Sequence, residues 1–386
     1  MKPGKIISII LLVLSCLVYA QTTPSLRPFS VESDNDFGGY DLLDIEDQKL
    51  FVLAEHWHNI RAVPKATLKT LRYLHTHGNV RILAIEQGKS VADMINLYLD
   101  SGDSTMLKHI TRNTMFWGVE HRSFFKELRA FNLSLQSEER IKVQSIDIEY
   151  KMESAIFRIN QLIGKKVIPA SLQSTVGEFQ RIYNETKEHR EMYEGIAIMY
   201  YYDRDFVQQL VISSINDLED NSQVYIDFFE DDFSQFATMI LEMDDGLTFD
   251  YTNPNNNYRF RDKIIYKNFI QLEKENPDKG ILCVIGMRHA TKGSSIYDLN
   301  NRSSSPLQGK VMNIRISALY NKSINAGDLK KINFNFPKQL KVNSATLIKH
   351  DPGNSALKSS KDFDYTLFIN ESGSLTSFEN ILTEEY

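Results

Sequence analysis

The chain has 386 residues, 44 Lys and Arg against 50 Asp and Glu, a net charge of −6 and two cysteines. A mildly acidic balance argues against nucleic acid as the main partner, because phosphate-binding surfaces carry a basic excess. Two cysteines are too few for a disulfide framework, so any stable fold must rest on an apolar core.

Residues 1–20 are expected to be a cleavable signal peptide: Lys2 and Lys5, an apolar run from Ile6 to Val18, then Ala20 before Gln21. The run is shorter than the roughly 20 residues that cross a bilayer, so no permanent membrane span is expected. The mature protein is therefore expected to be secreted or periplasmic. Lipid attachment at Cys16 ranks second, because Val18 and Ala20 make the better ordinary cleavage site. Cleavage leaves Cys283 alone inside an apolar run, where a cysteine serves as a small buried hydrophobe.

Residues 21–48 are polar and rich in turn formers (Pro24, Pro28, Asn35, Gly38, Gly39) and read as an N-terminal arm. From 49 to 386 the pattern is that of a single α/β domain. Apolar runs at 50–54, 81–85, 142–146 and 281–285 each end abruptly in polar residues, as buried parallel strands do. Helical periodicity at 63–77, 90–100 and 120–131 separates them, which predicts a mostly parallel central sheet flanked by helices. Between about 151 and 276 only amphipathic segments recur (152–163, 172–193, 206–218, 223–243, 260–275), predicting a helical insertion or cap. Later strands are expected at 311–316, 345–348 and 365–369. The aromatic stretches around Tyr200 to Tyr202 and from Tyr225 to Phe236 read as packing residues, with an apolar ligand pocket as the second reading.

In open α/β sheets, ligands bind beyond the carboxyl ends of the strands. Those ends carry Glu55-His56-Trp57-His58, Glu86-Gln87, Asp147-Ile148-Glu149 and Gly286-Met287-Arg288-His289. Taken singly, each is a common cap or loop hydrogen-bonder. Together they form a set of acids and imidazoles that shift one another's proton affinities and can activate water. His56 and His58 also have the His-x-His spacing of metal-dependent hydrolases, with Glu86, Asp147 and His289 available to complete a ligand set. That makes a divalent metal the alternative to a cofactor-free site, although the usual barrel for such enzymes needs more strand-helix units than this chain offers. No Gly-x-Ser-x-Gly elbow, P-loop or dinucleotide fingerprint occurs.

The stretch Leu53-Ala54-Glu55-His56-Trp57-His58-Asn59 resembles the Gly-Glu-x-x-His-Gly strand end of the erythromycin-esterase-like family. Ala54 and Asn59 replace its two glycines. Ala84-Ile85-Glu86 resembles the family's second strand end. Phe116-Trp117, Glu120, Leu128, Arg129 and Asn132 resemble the helix before its third strand, which Ile146-Asp147 closes. Arg261-Asp262 and Asn268 resemble the helix before the last family strand, whose end corresponds to Gly286 to His289, with Gly286 in place of a histidine. The resemblance implies an ester-cleaving hydrolase of small-molecule substrates with no cofactor. His58 would be the base, Glu55 and Glu86 would position it or the water, and His289 would steady the oxyanion or act as acid. It further implies binding roles for Arg261 and Asp147, and a basic residue from among Arg61, Lys65, Lys69 and Arg72. The wider superfamily includes haem-binding iron-uptake lipoproteins. A non-catalytic ligand binder is therefore the competing expectation, which the three replaced motif residues favour.

Overall fold

Runs that are apolar on consecutive residues, with no polar alternation, must be covered on both faces, and they form the centre of one sheet. In the computed structural model the strands are β1 (Phe29–Ser30), β2 (Leu50–Glu55), β3 (Val80–Ile85), β4 (Lys142–Ser145), β5 (Gly280–Gly286), β6 (Val311–Ala318), β7 (Ser344–Lys349) and β8 (Tyr365–Asn370). The structure describes residues 27–31, 36–55, 58, 60–149, 151–186, 204–249, 254–318, 344–350, 362–370 and 375–376. The expected signal peptide with Cys16, and His56, Trp57, Asn59 and Tyr200 to Tyr202, lie outside the described residues.

The strand order is β1-β7-β8-β6-β2-β5-β3-β4. Every pairing from β8 through β6, β2, β5 and β3 to β4 is parallel, and β7 runs antiparallel to β8 and β1. The fold is thus α/β, a mostly parallel sheet flanked by helices. β5 returns late in the chain to lie between β2 and β3, so the carboxyl ends of these three strands sit side by side.

Period-two alternation decides which helix covers which face. Phe51, Leu53, Leu83, Ile85, Leu282 and Val284 face the layer built from α1 (Ala62–His77), α2 (Lys89–Ser101), α3 (Ser104–Asn113) and α4 (Val119–Leu133). Val52, Ala54, Ile82, Ala84, Cys283 and Ile285 face the other side. Between β4 and β5, the described helices are α5 (Met152–Ile163), α6 (Glu178–Glu185), α7 (Arg204–Asp220), α8 (Ser222–Phe229), α9 (Phe233–Thr248) and α10 (Pro254–Glu275). The first five build a core of their own, while α10 and α11 (Ser295–Asn301) pack on the sheet through Ile265, Phe269, Leu272, Ile296 and Leu299. Each such fully buried side chain contributes roughly 1.5–3 kcal/mol.

The structure departs from the sequence expectations in two places, and for the Tyr225 to Phe236 rings it agrees with the packing reading. The segment expected as one helix over 223–243 is two, α8 and α9, joined by a 3-10 turn at Glu230–Asp232 in which Glu230 takes the left-handed φ of 53°. Tyr225, Phe229 and Phe236 stack in the interior of the helical region, with centroids of the last two 4.2 Å apart, so these rings are core. The described part of the polar 21–48 stretch is built into the main fold: β1 adds an edge strand, and buried Tyr40 shares a 2.8 Å hydrogen bond with Thr70. Four buried aromatic or aliphatic residues in a turn-rich segment (Phe29, Val31, Tyr40, Leu43) are the signal for that docking.

The helical region is tied to the sheet at the start of α2. Lys89 N–H donates to Glu242 of α9, and Ser90 N–H to Glu149 beyond β4, at 2.9 Å each. Burial pushes the Glu149 carboxyl up to about 8 and that of Glu242 to about 7. Gly88 permits this approach, since a Cβ there would sit 2.6 Å from the Glu149 carboxyl carbon.

Candidate functional site

Parallel strands deliver their last residues to one edge, and here that edge collects acids and imidazoles. Glu55, the last residue of β2, is buried at 6% exposure. Its Oε1 lies 2.7 Å from His58 Nδ1. A carboxylate oxygen accepts, so Nδ1 carries the proton and Nε2 keeps the basic lone pair. Burial alone would lower the His58 proton affinity; the hydrogen bond and charge of Glu55, aided by Glu86, outweigh it and raise it above the ordinary histidine value.

Glu86, one residue beyond β3, accepts from three sides. Arg261 Nη2 is 2.7 Å and His289 Nε2 3.3 Å from its Oε1, and the Gly286 N–H is 2.6 Å from its Oε2. Burial opposes ionisation, but His289, Arg261 and His58 together hold this carboxyl far below the usual range. Arg261 also reaches Asp147 beyond β4, with Nε 3.1 Å from both carboxylate oxygens and Nη2 bonded to Oδ2. Asp147 is fully buried, which raises its proton affinity despite the guanidinium. It also accepts the Ile148 N–H at 2.9 Å.

His289 lies in the short turn Met287–Ala290 after β5, with Nδ1 2.9 Å from Asp262 Oδ1. Asp262 in turn accepts the Ser295 N–H at the start of α11. Burial would lower the imidazole; Asp262 and then Glu86 reverse that and raise it to about 9, so His289 is an imidazolium at neutral pH. Both of its ring nitrogens face carboxylates. Adjacent Arg261 and Asp262 on α10 thus serve different partners, Glu86 with Asp147 and His289. Neither of the basic residues that border Glu86 in sequence holds it: Arg81 faces Glu139 at 3.8 Å and Lys89 pairs with Asp93 at 3.1 Å.

Gly286 is the meeting point of the two halves of the site. A Cβ built on it would stand 3.3 Å from Glu86 Oε2, 3.5 Å from His58 Cε1 and 3.7 Å from His58 Nε2. The missing side chain therefore leaves a point within reach of both a carboxylate oxygen and a basic imidazole nitrogen.

Beneath Glu55 and His58 opens a small cleft of about 30 Å³ between the sheet face at Leu83, Ile85 and Val284 and the helices α1 and α4. Sequence reasoning passed over two polar residues of this cleft, His121 and Thr67. His121 Nδ1 donates to the Trp117 carbonyl at 3.0 Å, leaving Nε2 as the acceptor. Burial lowers its proton affinity to about 4, so the ring is neutral. Its signal in the sequence is a histidine at an inward position of the Phe124, Phe125, Leu128 stripe. Among the four basic candidates after the first motif, Arg61 pairs with Glu120 at 3.2 Å and Lys69 stands over the Phe29 and Phe37 rings.

His56 lies outside the described residues. Among those described, no group of three or more His, Cys, Asp or Glu is arranged to hold a metal ion. Glu86, Asp147 and His289 are committed to Arg261, to Asp262 and to one another.

No family model matches the chain, and no curated protein matches it in sequence. Solved structures do share its fold. A mutant of the erythromycin esterase EreC in its open conformation superposes with a TM-score of 0.60 at 14% identity, over 91% of this chain and 98% of that one. A Bacillus cereus protein superposes at 0.57 and 13%, over 91% and 96%. A succinoglycan biosynthesis protein does so at 0.56 and 11%, over 86% and 90%. Such identities establish a common fold and leave function to the site.

Proposed function

We propose that this chain is an exported hydrolase that cleaves an ester, or a related acyl bond, of a small molecule by His58-activated water. The observation that carries the reading is the convergence of His58 Nε2 and Glu86 Oε2 on the open point at Gly286. A water held there donates one proton toward each acceptor, which aims a lone pair at an incoming carbonyl carbon. As the water oxygen bonds to that carbon, its proton passes to His58 Nε2, and Glu55 steadies the imidazolium that forms. Collapse of the tetrahedral intermediate breaks the bond to the alkoxy oxygen, which takes the proton back from His58. In this scheme Arg261 and His289 hold Glu86 ionised and oriented, and Asp147 fixes Arg261.

The fold shared with an erythromycin esterase supports the hydrolase class. Among the described residues no helix is long and apolar enough to cross a membrane. Export rests on the signal-peptide pattern of residues 1–20.

The test is hydrolysis of a panel of chromogenic carboxylic esters by the purified protein and by His58→Gln. Turnover by the wild type that falls by about 10²–10⁴ in the variant supports the assignment. Equal rates in the two proteins would remove His58 from the chemistry.

A further inference from the structure

The turn after β5 and the first turns of α10 carry a surplus of positive charge that the polar cluster leaves unused. Residues 258–266 and 286–297 hold Arg259, Arg261, Lys263, Arg288 and Lys292 against one acid, Asp262, in a chain whose net charge is −6. Arg261 is bound to Glu86 and Asp147, and Asp262 to His289. The other four cations are exposed and have no carboxylate partner among the described residues. Elsewhere on the surface such cations do pair, as Arg61 with Glu120, Arg181 with Glu178 and Arg302 with Asp298. A one-signed rim beside a cleft concentrates ligands of the opposite sign.

Arg288 is the member of this group that is fixed in place. Its Cζ stands 3.3 Å from the centroid of the Tyr258 ring, a spacing that face-to-face stacking gives. Tyr258 precedes Arg261 and Asp262 by three and four residues, so it shares their face of α10, and its ring centroid is 6.0 Å from that of His289. The guanidinium carbon is therefore no farther from the His289 ring centre than the sum of those two distances, and its residue is two past Gly286. Stacking uses a face of the guanidinium. Its N–H groups lie around the edge, and no acceptor among the described residues takes them. Such an edge matches the paired oxygens of a carboxylate, sulfonate or phosphate. From this geometry we infer that the substrate carries an oxyanion group, which the edge of Arg288 binds beside the point shared by His58 and Glu86. Arg259, Lys263 and Lys292 draw the anion toward it. The inference rests on the ester-hydrolase reading for the bond that is cut, and it makes Arg288 a specificity-determining residue.

Two ester pairs place the charge on either half of the substrate: mono(4-nitrophenyl) glutarate against 4-nitrophenyl butanoate, and 4-acetoxybenzenesulfonate against phenyl acetate. The readout is the anionic-to-neutral ratio of kcat/KM in the wild type divided by the same ratio in Arg288→Met, which cancels the intrinsic reactivity of the esters. It is expected to be about 10- to 100-fold for at least one pair, the size of a hydrogen bond between charged groups. The wild-type ratio is also expected to fall as sodium chloride is raised from about 0.02 to about 0.5 M, because Arg288 is exposed. A quotient near one for both pairs, or a wild-type ratio that salt leaves unchanged, overturns the inference. Calorimetric titration of glutarate and of neutral glutaramide into both proteins separates this inference from the reading beneath it. Arg288-dependent binding of glutarate, and not of glutaramide, without hydrolysis of any ester upholds the oxyanion site and defeats the hydrolase. Hydrolysis with no dependence on the anion does the reverse, and absence of both defeats both.

Discussion

Gly286→Ala separates chemistry from folding at this site. Gly286 has φ −58° and ψ 134°, a region alanine adopts freely, so the substitution brings no backbone strain. The N–H to Glu86 is retained. The new Cβ meets Glu86 Oε2 at 3.3 Å, a few tenths of an ångström tight, and His58 Cε1 at an ordinary 3.5 Å. Replacing glycine also removes unfolded-state freedom worth about 0.4–1 kcal/mol in favour of the fold. These terms oppose each other, so stability is expected to stay within about 1 kcal/mol of the wild type. Activity has no such compensation, because the methyl group occupies the point that His58 and Glu86 share. The expected loss is about 10²–10⁴ in kcat, the range of a positioned proton transfer. Steady-state hydrolysis of the best ester, paired with thermal unfolding, makes the comparison. A folded Gly286→Ala enzyme with wild-type kcat would refute the placement of the water.

Two further outcomes follow from the buried charges. Arg261→Ala leaves Asp147 and Glu86 without their shared cation, and such removal from a buried cluster costs roughly 3–5 kcal/mol, to be read from urea unfolding with the Arg261→Met/Asp147→Asn pair as the milder control. A loss under about 1 kcal/mol would mean that these carboxyls do not depend on Arg261. The His289 proton affinity is raised from 6.5 to about 9, so its stabilising contribution is full below about pH 6.5 and fades as pH rises through about 9. The wild type is therefore expected to lose stability relative to His289→Gln over that interval, by up to about 3 kcal/mol, in unfolding measured across pH. Parallel curves for the two proteins would show His289 to be neutral in the fold.

The sheet was legible because its strands are short, continuous apolar runs, a pattern that few other structures produce. Residues 50–54, 81–85, 142–146 and 281–285 lie within β2, β3, β4 with its following residue, and β5. The order in space was not legible: nothing local to 281–285 says that it inserts between β2 and β3, yet this insertion brings Gly286 to Glu86. Strand-end acids and imidazoles were visible as residue types. Their pairing was not, because it depends on which rotamer each adopts after burial; His289, read as acid or oxyanion support, has both nitrogens on carboxylates. Gly286, standing where the motif it resembles has a histidine, was visible as a departure, and only three-dimensional placement gives it a use. Thr67 and His121 escaped because each sits at helical spacing on an apolar stripe, where a polar residue looks like a satisfied core group.

The most direct measurement of the central claim is the pH dependence of kcat/KM for ester hydrolysis by the wild type and Glu55→Gln, from about pH 5 to about pH 10. A base whose proton affinity Glu55 raises must give a rate that climbs with pH through a midpoint above the ordinary histidine value, and the variant must move that midpoint down. A flat profile, or a midpoint that Glu55→Gln leaves in place, would contradict catalysis by a Glu55-held His58.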